Sequence, residues 1–216
     1  MAGARSYEDP CGVARALDVV GERWALLVVR ELLFGPKRFT DLRAGLPTAS
    51  QNVLSTRLRE LEEAGVVRKR KLPPPAASSV YELTERGAEL RPVLFHLARW
   101  GSRGAITTSN ELSTDALVLA MLTTFDRDRA AGLQVRAHLR LGPDEFRLSI
   151  DKGLLDLRRG NLENPDVTIE GEAGAFRAVL FGLRELDRTD LIIKGDEVLG
   201  RELLTLFPRP TPGSGS

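Results

Sequence analysis

Leu54, Leu58 and Leu61 recur at the spacing of one helix face, and Asn52, Thr56, Arg59 and Glu63, flanked by Ser55, fill the opposite face. The pattern predicts a helix of about four turns that ends at Gly65, with Ser50 as its N-cap. It runs straight into a basic strand, Val66-Val67-Arg68-Lys69-Arg70-Lys71. A tip rich in Pro, Ala and Ser (72–79) leads to a second strand from Val80 to Thr84. Upstream, Val13 to Val20 reads as a short helix presenting Val13, Leu17 and Val20. A stronger helix, Glu22 to Phe34, carries Trp24, Leu27, Val28 and Leu32 on one side and is stopped by Gly35-Pro36. A short third helix runs from Phe39 to Leu46. Downstream, Thr84 is expected to cap one long helix with Leu90, Val93, Leu94, Leu97 and Trp100 along a face, closing a unit near Gly101.

The pattern changes character after a small, polar, aperiodic stretch, Gly101-Ser102-Arg103-Gly104 and Thr107-Thr108-Ser109-Asn110, which reads as a linker. Leu112 to Phe125 is helical. Leu133 to Leu141 then alternates strictly, as a half-buried strand does, and Phe146, Leu148 and Ile150 repeat the alternation across a turn at Gly142-Pro143-Asp144. Further strands are marked by Val167 with Ile169 and by Leu191 to Ile193, and helices by Ala173 to Leu183 and Asp196 to Phe207. The fold class is therefore α+β: a winged helix-turn-helix domain over residues 1–104, a mixed α+β domain over 111–207, and a disordered tail over 208–216.

Charge sharpens this division. The net charge of the 216-residue chain is +1, which says little by itself. Residues 1–104 hold 17 Lys and Arg against 12 Asp and Glu, whereas 105–216 hold 14 against 18. A basic first half fits a nucleic-acid partner and an acidic second half a different task. The single cysteine, Cys11, rules out an internal disulfide and points to a reducing compartment. No apolar run reaches a membrane span and the N-terminal residues lack an apolar signal core, so a cytoplasmic protein is expected.

A helix followed directly by a basic two-stranded ribbon is the arrangement that places one element in the major groove and cations on phosphates. Ser50, Gln51, Asn52, Ser55, Thr56 and Arg59 are the helix residues expected at DNA, joined by Arg38 and by Lys69, Arg70 and Lys71 of the ribbon. Asn and Gln suit adenine, Arg suits guanine, and hydroxyls reach phosphate. The bland alternatives are a solvated helix face and an edge strand protected by charge. Arg57 borders the apolar stripe and also reads as a structural ion-pair partner.

Longer segments resemble a known family. Cys11, Ala16-Leu17-Asp18-Val19-Val20-Gly21-Glu22-Arg23-Trp24, Gly35-Pro36-Lys37-Arg38-Phe39-Thr40-Asp41-Leu42-Arg43 and Tyr81-Glu82-Leu83-Thr84-Glu85-Arg86-Gly87 resemble the HxlR family of bacterial winged-helix regulators, over about residues 11–101. Thr48-Ala49 before Ser50 departs from the usual Gly-Ile. The resemblance implies a transcription regulator on double-stranded DNA, and in some relatives the cysteine at this place senses oxidants or electrophiles. Cys11 thus reads either as a redox sensor beside Arg15 or as a small residue at a helix start.

The second half is similar to the sterol-carrier-protein-like fold in Asn164-Pro165-Asp166-Val167-Thr168-Ile169-Glu170-Gly171, Phe181-Gly182 and Ile193-Lys194-Gly195-Asp196. Such domains build an apolar tunnel between a sheet and helices, which would make the chain a sensor of an apolar small molecule. Leu139, Phe146, Leu148, Ile150, Phe176 and Leu180 are then its candidate lining, and equally the core of any α+β domain. The stripe Leu90, Val93, Leu94, Leu97 and Trp100, with Val13 and Leu17, is expected to build a homodimer, and hence a roughly palindromic site.

No metal site, cofactor fingerprint or nucleophile constellation is found. His96 and His138 lie in different domains, and His138 is expected to be exposed on the polar side of its strand. An enzyme tethered by the winged helix, with catalysis in residues 112–207, is the alternative from another functional class.

Overall fold

The computed structural model describes residues 6–73, 78–104 and 111–208, and the chain divides into two compact units, Met1–Leu94 and Phe95–Ser216. The division falls inside a helix rather than at the polar stretch near Gly104. Of the expected linker, Gly101 and Ser102 are helical and residues 105–110 lie outside the described residues. So do the wing-tip residues 74–77 and the expected tail from residue 209 onward.

The first unit is built from α1 (Gly12–Val20), α2 (Ala25–Leu32), α3 (Phe39–Gly45) and α4 (Gln51–Glu63), followed by β1 (Val67–Lys71) and β2 (Ser79–Leu83). Helix α5 (Glu85–Ala88) follows, and the division between the units falls within the next helix, α6 (Arg91–Ser102). The leucine stripe of α4 packs with Val28, Val29, Leu32 and Leu42 into one core. Two expectations fail here. The second helix does not begin at Glu22: Trp24 sits at φ 79° as its N-cap, and Leu27 faces outward. The long closing helix is broken into α5 and α6. Thr84 does cap, its hydroxyl accepting from the Gly87 N–H at 3.1 Å, but only for one turn. Pro92 has no N–H to give to the carbonyl four residues back, so the backbone ladder cannot pass through Arg91-Pro92 unbroken.

The second unit holds α7 (Thr114–Thr124), then β3 (Val135–Leu141), β4 (Asp144–Asp151), β5 (Leu154–Arg159) and β6 (Val167–Gly171). After these come α8 (Ala173–Leu180), β7 (Ile192–Gly195) and α9 (Glu197–Leu204). The strands form one sheet in the order β5-β4-β3-β6-β7, antiparallel except for the parallel pair β3 and β6. Side-chain alternation makes the sheet two-faced. Val135, Ala137, Leu139, Phe146, Leu148, Ile150, Leu157, Val167 and Ile169 are all buried on one face. Helix α9 crosses β6 and β7 at Gly200, where a Cβ would lie 2.7 Å from Ile193 and 3.0 Å from Val167. Helix α7 is buried almost all round, including Asp115, whose carboxylate takes a guanidinium N–H of Arg159 at 2.9 Å. The Arg159 side chain also pairs with Asp144 and lies over the Phe146 ring, its guanidinium carbon 4.6 Å from the centroid.

The opposite face carries Arg136, His138, Arg140, Glu145, Arg147, Arg158, Glu170 and Lys194. His138 is not exposed as expected: it is buried, with Nε2 3.9 Å from a Glu145 oxygen and without a hydrogen-bond partner. It sits on the middle strand, opposite Arg147 and Thr168 and between Arg136 and Arg140, so longer neighbours rise above its short side chain.

Glu170 accepts from Lys194 at 2.7 Å and from Arg140 at 2.9 Å. The Lys194 hydrogen bond, against a burial cost, and then the Arg140 charge hold its carboxyl below the ordinary glutamate pKa of 4.5. A depressed pKa contributes stability that is present above 4.5 and lost as the pH falls through the folded value. Glu170→Gln is therefore expected to lower stability near neutrality and to lessen its further loss in acid. Denaturant midpoints at about pH 6 and pH 3.5 measure this, and parallel acid curves for the two proteins would refute it.

Candidate nucleic-acid interface

Helix α4 begins as expected. The Ser50 hydroxyl accepts from the Val53 N–H at 3.3 Å, leaving Gln51 and Asn52 exposed in the first turn. Ser55 and Arg59 are also exposed and Thr56 is half-buried, so the polar face expected at base edges is open along the helix. Arg59 has Glu63 for a neighbour at 3.8 Å, one turn on. Arg57 belongs to the other class: it is largely buried and ion-paired with Glu60 and, at 3.9 Å, with Glu22. Gly65 at φ 69° turns the chain out of α4, a conformation that a side chain would strain. Glu62 then accepts the Lys69 N–H at 3.0 Å, which fixes the start of the ribbon against the helix that precedes it.

The ribbon pairs in register from Val67 with Leu83 to Lys71 with Ser79. Alternation puts Arg68 and Arg70 on one face with Glu82, and Lys69 and Lys71 on the other with Tyr81. Lys69 lies over the Tyr81 ring, 5.7 Å from its centroid. The two arginines are not free cations. Glu82 accepts from Arg68 Nε at 2.8 Å and from Arg70 Nε at 3.0 Å. The Arg70 hydrogen bond, opposed by burial and joined by Arg68, lowers the Glu82 pKa below 4.5. The sequence marks β1 only as a basic strand and gives no sign of this carboxylate, although Glu82 stands one residue after Tyr81 and directly opposite Arg68.

A third strand residue anchors the ribbon. Lys37 exchanges both backbone hydrogen bonds with Tyr81, at 3.0 and 2.8 Å. Its ammonium donates to Glu31 Oε2 at 2.8 Å, and Arg30 donates to Glu31 Oε1 at 2.8 and 3.1 Å. Glu31 is fully buried, so α2, the Lys37 bridge and the ribbon share one desolvated carboxylate. Arg38 is exposed at the start of α3, its N–H given to Asp41 at 3.1 Å.

The remaining expected residues fall as follows. Val13, Leu17, Val93, Leu97 and Trp100 are exposed, Trp100 by 74%, whereas Leu90 is half-buried and Leu94 belongs to the core of the first unit. Leu94 thus faces inward and leaves the dimer stripe. Cys11 is an exposed free thiol at the N-cap of α1, its N–H bonded to Asp9 at 2.8 Å. The expected pocket residues Leu139, Phe146, Leu148, Ile150 and Phe176 are all buried. Leu180 lines an open pocket of about 610 Å³ between α8 and α9, whose walls include Val179, Phe181, Leu186 and Leu204 together with Arg184, Glu185, Asp187 and Arg201. Among the described residues, no cluster of three His, Cys, Asp or Glu could hold a metal, and no helix is long and apolar enough to cross a membrane.

Residues 19–108 match the family model described as HxlR-like helix-turn-helix. An uncharacterized HTH-type transcriptional regulator of Bacillus subtilis, YvaP, is 40% identical over 88 residues, which is 41% of this chain and 82% of that protein. The HTH-type transcriptional regulator YodB of the same organism is 35% identical over 88 residues, covering 79% of its length. The solved structure of the reduced form of YodB is 31% identical and covers 47% of this chain and all of its own, with a TM-score of 0.40. Each match leaves more than half of this chain outside it, and the second unit is an additional mixed α+β domain. With the helix, ribbon and capping geometry in place around these residues, the chain belongs to the HxlR-like helix-turn-helix family.

Proposed function

We propose that the protein is a dimeric, sequence-specific transcription regulator that reads a roughly palindromic DNA site through α4 and grips phosphates through the ribbon. The observation that carries this reading is the open polar face of α4, with Gln51 and Asn52 exposed beside an exposed Lys69 and Lys71. Family membership and the names of the relatives as transcriptional regulators support it. The second unit is assigned a sensory role as a sterol-carrier-like domain for an apolar effector, and no catalytic role. What supports that is its layering, helices over one apolar sheet face, and the open pocket between α8 and α9 whose lining includes Leu180 and Leu204 beside Arg184 and Arg201. An effector acts only through different affinities for two arrangements of the protein, and a coupling of about 1–3 kcal/mol would change operator affinity about 5–150-fold.

The test separates base readout from phosphate grip. Asn52→Ala or Gln51→Ala is expected to relax base preference, costing about 1–3 kcal/mol on the selected site and little on scrambled duplex. Lys69→Ala is expected to weaken both equally and to flatten the salt dependence by about 0.9 in log–log slope. Binding measured by fluorescence anisotropy across a salt series reads both. A wild-type protein that binds selected and scrambled duplex alike would refute sequence-specific regulation.

A further inference from the structure

Glu82 has no place in an account of the ribbon as a simple cationic surface. It points from β2 to the same face as Arg68 and Arg70, and its two oxygens are divided between them, Oε1 to Arg68 and Oε2 to Arg70. A carboxylate bridging two guanidinium groups presents the charge and the paired acceptors that a DNA phosphate would present there. The Glu82 side chain is only 14% exposed, whereas Arg68 is 65% exposed and Arg70 43%. The arginines therefore reach outward past the carboxylate that neutralises them. The exposed lysines Lys69 and Lys71 lie on the other face, so Glu82 governs one face of the ribbon alone.

We propose that Glu82 is a built-in competitor of DNA phosphate, an affinity-limiting and positioning residue that holds Arg68 and Arg70 ready while cancelling one of their two charges. A phosphate arriving at this face takes guanidinium hydrogen bonds from Glu82, and the displaced carboxylate remains nearby as a repelling charge. Because the contest involves phosphate and no base edge, it lowers affinity for every sequence by the same factor. The effect is to hold down sequence-independent occupancy without changing the ratio between selected and scrambled sites. The inference rests on the DNA-binding reading above.

The experiment compares wild-type protein with Glu82→Gln on a duplex selected from a random pool and on a scrambled duplex of equal length. Glutamine keeps the shape and one acceptor while removing the charge. Affinity is expected to rise about three- to tenfold on both duplexes at about 0.1 M salt, with a log–log salt slope steeper by about 0.9. In a protein that also carries Arg68→Ala and Arg70→Ala, the same change is expected to do much less, since the charge it relieves is gone. An unchanged or weaker affinity of Glu82→Gln overturns the proposal. So does a gain confined to the selected duplex, or a gain that persists in full without the two arginines. If the wild type binds neither duplex, it is the DNA-binding reading that falls.

Discussion

Replacing Glu31 by alanine is expected to destabilise the first unit by about 3–5 kcal/mol, the cost of leaving buried cations without their counter-charge. Glu31 is fully buried, and the side chains of Arg30 and Lys37, which pair with it, are exposed by only 18% and 14%. Truncation removes the acceptor of the hydrogen bonds from Arg30 and Lys37. Lys37 then loses this counter-charge, and its backbone is the strand bridge to Tyr81. The loss is therefore expected in the ribbon as well as in overall stability. Thermal and denaturant unfolding followed by Trp24 fluorescence, in a Trp100→Phe background, measures the first. The salt slope of DNA binding under conditions where the variant is folded measures the second.

The alternative account is that Glu31 is a surface-type ion pair worth less than about 1 kcal/mol. A loss that small would rule out the buried-network reading. A second variant separates charge from packing. Combining Glu31→Leu with Lys37→Met replaces the pair by apolar groups of similar length, which often costs little or stabilises. It is expected to recover much of the stability lost in Glu31→Ala while leaving Arg30 able to reach solvent. Failure to recover would mean that the hydrogen-bond geometry around the carboxylate, rather than the uncompensated charge, holds the site together.

Why Glu31 and Glu82 escaped a reading of the sequence is a physical matter. Periodicity reports which residues face a core, and it placed Leu54, Leu58, Leu61 and the alternating strands β3 and β4 correctly because burial of apolar groups dominates there. The Ser50 and Thr84 caps were legible because a short acceptor before a helix has few other uses. A carboxylate's partners, by contrast, are set by register and tertiary approach. Glu31 meets Lys37 only once α2 and the bridge to Tyr81 are assembled. Glu82 meets Arg68 across the ribbon, 14 residues away along the chain. Strand β5 was missed for a local reason: its turn, Lys152-Gly153, has φ 49° and 72°, the primed-turn geometry usually announced by Asn-Gly or Asp-Gly. His138 was misplaced because alternation gives the face on which a residue lies but not the height of its neighbours. The candidate pocket set stays open to both readings, since apolar residues that line a space and those that fill a core carry the same pattern and are alike buried.

Trp100→Glu, and independently Leu97→Glu, are expected to convert a dimer into a monomer and to reduce affinity for a two-half-site operator by about a hundredfold or more. Helix α6 leaves Val93, Leu97 and Trp100 exposed by 50%, 43% and 74% at helical spacing, while Leu94 alone turns into the core. Val13 and Leu17 of α1 are exposed as well. An apolar stripe of that kind on a helix surface marks an association site more often than a solvated one. If two copies meet there, a carboxylate in the stripe is buried without a partner and association fails. If the stripe faces water, the same substitution changes folding stability by no more than about 0.5 kcal/mol and leaves the mass unchanged.

DNA binding amplifies the difference. In a dimer, occupation of one half-site holds the second α4 at high effective concentration over the next, about 34–36 Å along the duplex. A monomer must bind each half-site independently, and its affinity falls to that of a single helix and ribbon. The expected result is a halved mass in sedimentation at micromolar protein, an unchanged unfolding curve for the first unit after correction for protein concentration, and loss of the tight operator complex with half-site contacts retained. A Trp100→Glu protein that remains dimeric and binds the full operator as the wild type does would place the interface elsewhere and leave the α6 stripe without an assigned role.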